Sequence, residues 1–269
     1  MPERKPLQED VTDTTLLVET VREAGKIARK YFRGEYSSWD KGRGNPVTDA
    51  DIAIDRNLRE VLLAARPNYG WLSEETEDDP ARLTRDRVFI VDPIDGTVGF
   101  IKGRPHFTIV ATVVHAGRPV SAAIYNPITE EMYDAAYCNG ARLNGDPISV
   151  SDKDTLEGCR MLAPRVYFEP ERWQRPWPDS MQVETRSSIA YRLALVAAGK
   201  FDAVLSLTAK HDWDLAAGDL MVNEAGGCVL TPNGEILTYN NATPLQQGVL
   251  SAGPALHAKL RERLQEQLP

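Results

Sequence analysis

The sequence predicts an α/β protein in which layers of helix and sheet are stacked on one another. Three patterns predict it. Amphipathic helical periodicity opens the chain, hairpin-spaced strands follow between about 107 and 150, and strand and helix alternate beyond 151. The 269 residues fit one large domain or two tightly joined halves, with ample material for a core. The change of pattern divides the chain into an α+β half, 1–150, and an α/β half, 151–269. No linker-like stretch separates them.

Residues 12–33 form the first helix, with Leu16, Leu17, Val21, Ala24, Ala28 and Phe32 on one face. A turn-rich stretch, Trp39 to Pro46, precedes a second helix from Ala50 to Ala65 that buries Ile52, Ile54, Leu58, Val61 and Leu62. Asn68 to Leu72 reads as a short strand, and the acidic run Glu74–Asp79 as a solvated loop. Val88-Phe89-Ile90 is a buried strand running into Val91-Asp92-Pro93-Ile94-Asp95-Gly96-Thr97. Phe107–His115 and Val120–Tyr125 are strands joined at Ala116-Gly117. Met132–Tyr137 and Ala141–Leu143 flank Asn139-Gly140, a hairpin signal, and Asn144-Gly145 turns the chain into Pro147–Val150. Beyond 151, strands at Arg160–Ala163, Ala203–Leu205, Cys228–Leu230 and Val249–Ser251 alternate with helices at Ser187–Ala198, Leu215–Ala225 and Ala255–Leu264. Gly199 and Gly226-Gly227 stop the first two helices. Trp173 to Asp179, with Pro176 and Pro178, reads as a surface loop.

The formal net charge of −8 argues against non-specific binding to nucleic acid or anionic membranes. Cys138, Cys159 and Cys228 are odd in number and widely spaced, so each reads as a small buried apolar residue in a reducing, cytoplasmic setting. The charged start Met1–Lys5 leads into no apolar signal core, and no stretch approaches the roughly 20 apolar residues of a membrane helix.

The chemistry concentrates in Asp92–Thr97. Pro93 suits the second position of a four-residue turn, whose ends lie within about 7 Å of each other. Asp92 and Asp95 are those ends, and carboxylates so close repel unless a cation lies between them or one is protonated. Gly96 and Thr97 then open a short helix, Val98–Ile101, whose N-terminal N–H groups suit a phosphate. Asp51, Glu74 and Asp214 also lie at element ends. Hard oxygen ligands of this kind suit magnesium, and two such ions can clamp a phosphate ester. Taken singly, Asp51 and Asp214 serve equally well as helix caps, and Glu74 as part of a solvated acidic loop. His106, His115, His211 and His257 lack metal-ligand spacing. Gly42-Arg43-Gly44 is no phosphate-binding fingerprint, and no Gly-x-Ser-x-Gly elbow is present.

In order along the chain, Pro46–Asp51, Leu72-Ser73-Glu74-Glu75, Asp92–Thr97, Trp213–Gly218 and Glu224-Ala225-Gly226-Gly227 together resemble the inositol monophosphatase superfamily. The resemblance covers nearly the whole chain. It implies the α-β-α-β-α layered sandwich of that superfamily, a homodimer, and a cytoplasmic, lithium-sensitive phosphomonoesterase using two to three Mg2+ ions. By position, Glu74, Asp92 and the Ile94 carbonyl would bind the first ion. Asp92, Asp95 and Asp214 would bind the second, and Asp51 would support a third through water. The N-terminal half thus carries most ligands and the C-terminal half supplies Asp214, in one catalytic unit. Glu74 and Thr97 would activate the attacking water. Asp95 and the N–H groups of Gly96 and Thr97 would hold the substrate, and Lys41 lies on the loop that relatives use near the third metal. The spacing from Lys41 to Asp51 is one residue shorter than in animal members.

Animal members also carry a glutamate before the Trp-Asp motif, and it binds inositol hydroxyls. Leu205–Lys210 has no carboxylate there. Phe100-Ile101-Lys102 resembles bacterial 3′(2′),5′-bisphosphate nucleotidases, and Lys210 either pairs with a second phosphate or is a solvated charge. The expected substrate is a small phosphorylated metabolite of the inositol monophosphate or 3′-phosphoadenosine 5′-phosphate class. Alternatives are histidinol phosphate, fructose 1,6-bisphosphate, or a non-catalytic regulator on the same fold with no direct nucleic-acid contact.

Overall fold

The computed structural model describes residues 7–42 and 46–266. Helix α1 (Gln8–Tyr31) begins a turn earlier than its apolar periodicity predicts. Its polar first turns are tied down: Arg87 reaches Asp10 at 2.8 Å and Asp13 at 3.3 Å, and Arg66 reaches Asp13 at 2.8 Å. Apolar spacing cannot register an ion-pair network buried this deeply. Strands β1 (Ser38–Asp40) and β2 (Pro46–Thr48) form a small antiparallel ribbon. Arg43 to Asn45, in the middle of the turn expected there, lie outside the described residues. Helix α2 (Asp49–Ala65) buries Ile54, Leu58 and Leu62 as expected. Ile52 is only partly buried and Val61 is exposed, a correction to the predicted helix face. The cysteines need a correction too: Cys159 is buried, but Cys138 is exposed and Cys228 only partly buried.

Next come β3 (Gly70–Ser73), a 3-10 turn at Pro80–Thr84, β4 (Arg87–Asp95) and the short helix α3 (Thr97–Ile101). An antiparallel meander follows: β5 (Thr108–His115), β6 (Arg118–Asn126), β7 (Glu131–Ala136), β8 (Ala141–Leu143) and β9 (Asp146–Pro147). These seven strands, β3 to β9, form one sheet in sequence order, with β3 parallel to β4 and each later pair antiparallel. Beyond it lie β10 (Arg160–Leu162), β11 (Gln182–Glu184), α4 (Ile189–Ala197), β12 (Ala203–Ser206), β13 (Lys210–His211) and α5 (Asp212–Glu224). The chain finishes with β14 (Cys228–Leu230), β15 (Leu245–Gln246), β16 (Val249–Ala252) and α6 (Pro254–Leu264). The second sheet runs β11-β10-β12-β16-β14, while β13 and β15 pair separately.

The layers read α-β-α-β-α. Leu17, Val21, Ile54 and Leu58 of α1 and α2 pack on Phe89, Val91 and Ala111 of the first sheet. The opposite face of that sheet meets α4 and α5, which also cover Leu162, Val204 and Val249 of the second sheet. The outer face of the second sheet packs on Leu256 and Leu260 of α6. Trp173 and Trp177 are buried in this outer core, so the stretch read as a surface loop is anchored by two tryptophans. Its prolines gave the loop signal; the apolar area of the rings overrides it. Among the described residues, no helix is long and apolar enough to cross a membrane.

The end of β4 sets up the site, and it is not the four-residue turn that Pro93 suggests. Asp92 pairs with Val110 and Asp95 with Thr108, so Pro93 and Ile94 stand opposite the single residue Ile109. This is a β-bulge, where a proline without an N–H is tolerated. In a regular strand, residues three apart point to opposite faces. The extra residue in the bulge cancels that inversion and turns Asp92 and Asp95 to the same side.

Candidate active site

Three carboxylates converge at the bulge. One oxygen from each of Asp92, Asp95 and Asp214 lies within 4.8 Å of the others; Asp92 and Asp95 are buried and Asp214 partly so. Asp214 sits in the first turn of α5 and accepts the His211 N–H at 2.7 Å. It is therefore both a cap and a member of the cluster. Gly218, one turn further along α5, makes the approach possible. A Cβ there would lie 2.4 Å from the Leu193 side chain of α4, so only glycine lets the two helices cross this closely.

Asp95 is the best satisfied of the three. It accepts hydrogen bonds from the Ser188 hydroxyl at 2.6 Å, the Ala190 N–H at 2.6 Å and the Ile189 N–H at 3.3 Å. These donors belong to the N-terminus of α4, where a negative charge is favoured. Asp92 differs: its Oδ1 is buried and accepts no hydrogen bond from the described residues. Burial first, then the charges of Glu74, Asp95 and Asp214, hold its carboxyl well above the usual carboxylate range. Burial likewise raises Asp95 and, together with Asp95, raises Asp214. Crowded, buried, partly unsatisfied carboxylates are the donor set that a hard dication stabilises.

Around this cluster lies a cavity of about 440 Å3, bounded by Glu74, Thr97, Arg192, Lys210 and the bulge. Gly96 enters it with φ of 98°; a Cβ there would meet the Ser188 nitrogen at 2.9 Å and the His106 carbonyl at 3.0 Å. Glycine is needed for both conformation and space. The Thr97 hydroxyl lies 3.0 Å from the Ile94 carbonyl and 3.2 Å from Asp51 Oδ1. Asp51 Oδ2 accepts the Thr48 N–H at 2.8 Å and its hydroxyl at 2.5 Å. Asp51 thus closes a capping box at the start of α2 while facing Thr97, so the cap and site readings hold together. Burial raises the Asp51 pKa to about 6.

Glu74 lines the cavity, yet its carboxylate is also held by Lys41 at 3.2 Å. Lys41 itself grips Glu75 at 2.8 Å, so it reaches the site through these two glutamates. Lys210 borders the cavity and lies 3.4 Å from the Thr208 hydroxyl. The structure therefore gathers Asp92, Asp95, Asp214, Ile94, Gly96, Thr97, Glu74 and Lys210 around one cavity, with Asp51 behind Thr97 and Lys41 behind Glu74.

Several neighbours were not singled out from sequence. Thr48-x-x-Asp51 carries a readable capping signature. Ser188, which caps α4 and binds Asp95, is marked only by standing before an apolar run. Arg192 carries no sequence signal. Glu224, in the Glu-Ala-Gly-Gly motif, accepts the N–H groups of Cys138, Asn139 and Gly140 at 2.8–3.1 Å, so it fixes the β7–β8 hairpin.

Comparison with known proteins finds relatives over nearly the whole chain. A family model described as "Inositol monophosphatase family" matches residues 9–268. An inositol-1-monophosphatase of Rhizobium meliloti is 33% identical over 265 residues, covering 94% of this chain and 96% of the relative. A protein called Nus factor SuhB, of Pasteurella multocida, is 30% identical over 229 residues, covering 81% and 85%. The crystal structure of the extragenic suppressor protein SuhB of Bartonella henselae superposes with a TM-score of 0.80 at 27% identity, covering 95% and 99%.

Proposed function

The chain belongs to the inositol monophosphatase family, and from that premise we propose that it is a magnesium-dependent phosphomonoesterase acting on a small phosphorylated metabolite. The observation that carries the reading is the Asp92–Asp95–Asp214 cluster, whose oxygens lie within 4.8 Å and whose Asp92 Oδ1 accepts no hydrogen bond from the described residues. Glu74, Asp92, the Ile94 carbonyl, Asp95 and Asp214 are the residues that would hold two ions, with Asp51 supporting a third. Bound magnesium supplies Lewis acidity towards phosphoryl oxygens and lowers the pKa of water.

The chain's own groups position and deprotonate the nucleophile. The Thr97 hydroxyl has one proton and two acceptors, Asp51 Oδ1 and the Ile94 carbonyl. With that proton directed at Asp51 Oδ1, Oγ has a lone pair free to accept a hydrogen bond from the attacking water, and as the water's proton moves onto Oγ the hydroxyl proton passes to the Asp51 carboxylate. Glu74, which lines the same cavity, is the second group to orient that water. The N–H groups of Gly96 and Thr97 face the transferring phosphoryl group, where added negative charge is best stabilised by fixed dipoles. Attack is in line, with no phosphoenzyme.

Inositol monophosphates and 3′-phosphoadenosine 5′-phosphate are the leading substrates, followed by fructose 1,6-bisphosphate and histidinol phosphate. By the same resemblance the enzyme is a cytoplasmic homodimer inhibited by lithium. The test is a phosphate-release screen over these compounds, with magnesium, with magnesium plus lithium, and with chelator. Release that requires magnesium and is lost in Asp95→Asn supports the reading; near-normal release by that variant refutes it. The relatives named Nus factor SuhB favour a second reading, a regulatory binding protein on the same fold. A stoichiometric partner, with no phosphatase activity on any compound, would favour it.

A further inference from the structure

Part of the cavity lining is basic, and a neutral polyol gives no reason for it. Arg186, Arg192 and Lys210 all line the same 440 Å3 space as the carboxylates. Arg186 is paired with Glu184 at 2.8 Å. Among the described residues Arg192 forms no ion pair. Its Nη2 donates to the Ser187 carbonyl at 3.3 Å, and its Nε is buried without an acceptor there. A buried guanidinium N–H left unmade costs about 1–3 kcal/mol, so its retention calls for an explanation.

Charge balance supplies one. The electrostatic partners of Arg192 are Asp95, Tyr167 and Asp214, and Lys210 likewise acts on Asp214. These carboxylates neutralise the two cations only while they are uncommitted. If Asp95 and Asp214 hold dications, as in the function proposed above and on which this inference rests, Arg192 and Lys210 lose their counter-charge. They are then two cations in the lining of a site that takes a phosphate.

We propose that Arg192, with Lys210, forms a subsite for a second anionic group on the substrate, so that the preferred phosphomonoester carries another phosphate or a carboxylate remote from the scissile group. Arg192 is the specificity-determining residue. A guanidinium offers several directed donors to such a group, whereas Lys210 contributes a mobile point charge. Without magnesium the same anion faces the unneutralised charges of Asp92, Asp95 and Asp214, so occupation of the subsite depends on metal loading.

The test uses matched pairs with the same scissile phosphate: adenosine 3′,5′-bisphosphate against adenosine 3′-monophosphate, and fructose 1,6-bisphosphate against fructose 1-phosphate. The wild-type chain should favour the bisphosphate of at least one pair by about 10- to 100-fold in kcat/KM, the scale of one charged hydrogen-bonded contact. Arg192→Gln should bring that ratio to near one, and Arg192→Lys should restore part of it. A ratio near one for wild type in both pairs, or an unchanged ratio in Arg192→Gln, overturns the proposal.

A binding arm is independent of turnover. By calorimetry, adenosine 5′-monophosphate and fructose 6-phosphate serve as probes of the product. At least one should bind the magnesium-loaded protein, weaken about tenfold or more in Arg192→Gln, and show no binding in chelator. Equal binding by wild type and Arg192→Gln, or binding of neither probe to wild type, also overturns it. If no phosphomonoester is hydrolysed yet a probe binds with this Arg192 and magnesium dependence, the phosphatase reading fails and the subsite stands.

Discussion

Replacing Asp92 by asparagine separates what the site costs the fold from what it does for function. Asp92 is buried, its Oδ1 accepts no hydrogen bond from the described residues, and Glu74, Asp95 and Asp214 surround it with like charge. The substitution keeps the shape of the side chain and removes its charge. In chelator at neutral pH the variant should therefore be more stable than wild type, by about 1–3 kcal/mol on the scale of an uncompensated buried polar group. For a chain of this length that is a rise of about 2–5 °C in Tm. Magnesium should reverse the order. A ligand at 100 times its Kd adds about 2.7 kcal/mol to the native state, and wild type should gain this where Asp92→Asn does not. The assay is thermal unfolding of both proteins in chelator and along a magnesium series, with phosphate release measured in parallel. A variant that is less stable than wild type in chelator, or that keeps the full magnesium-dependent rise, would refute the reasoning.

Three further outcomes follow from particular residues. Gly96→Ala forces a Cβ to within 2.9 Å of the Ser188 nitrogen at φ of 98°, so it should cost about 1–3 kcal/mol in urea unfolding and reduce turnover. Burial raises the Asp219 pKa to about 6, despite Arg118 at 3.4 Å. A raised carboxyl contributes stability that is full below its unfolded value near 4 and lost as pH rises through about 6. Asp219→Asn should thus lose about 3 kcal/mol less than wild type between pH 4 and pH 7 in chelator, and equal slopes in the two proteins would contradict this. Trp177→Ala empties a buried position on the outer core and should cost about 3–5 kcal/mol; a cost below 1 kcal/mol would mean the segment is the loose loop that its prolines suggest.

Much of this was legible in the sequence because each element carried its own signal. Leu17, Val21, Ala24 and Ala28 marked the face of α1, Asn139-Gly140 marked a hairpin, and Gly199 marked the end of α4. The site was legible as a set of motifs in order, with Asp92, Asp95 and Asp214 now within 4.8 Å. What could not be read was the local geometry. Pro93 suits a turn as well as a bulge, and only the pairing of β4 with β5 decides between them. The buried ion pairs of Asp10 and Asp13 lengthen α1 through Arg66 and Arg87, which are distant in sequence. Arg192 lies in an apolar helix with nothing beside it to mark it, since its significance comes from Asp95 and Asp214 across the fold.

The most direct test of the central claim is anomalous scattering from crystals loaded with manganese in place of magnesium. The account predicts peaks in the cavity between Asp92, Asp95 and Asp214 and beside Glu74 and the Ile94 carbonyl, and none between the acidic trio in Asp92→Asn. An empty trio at saturating manganese, or peaks confined to other acidic clusters, would contradict it.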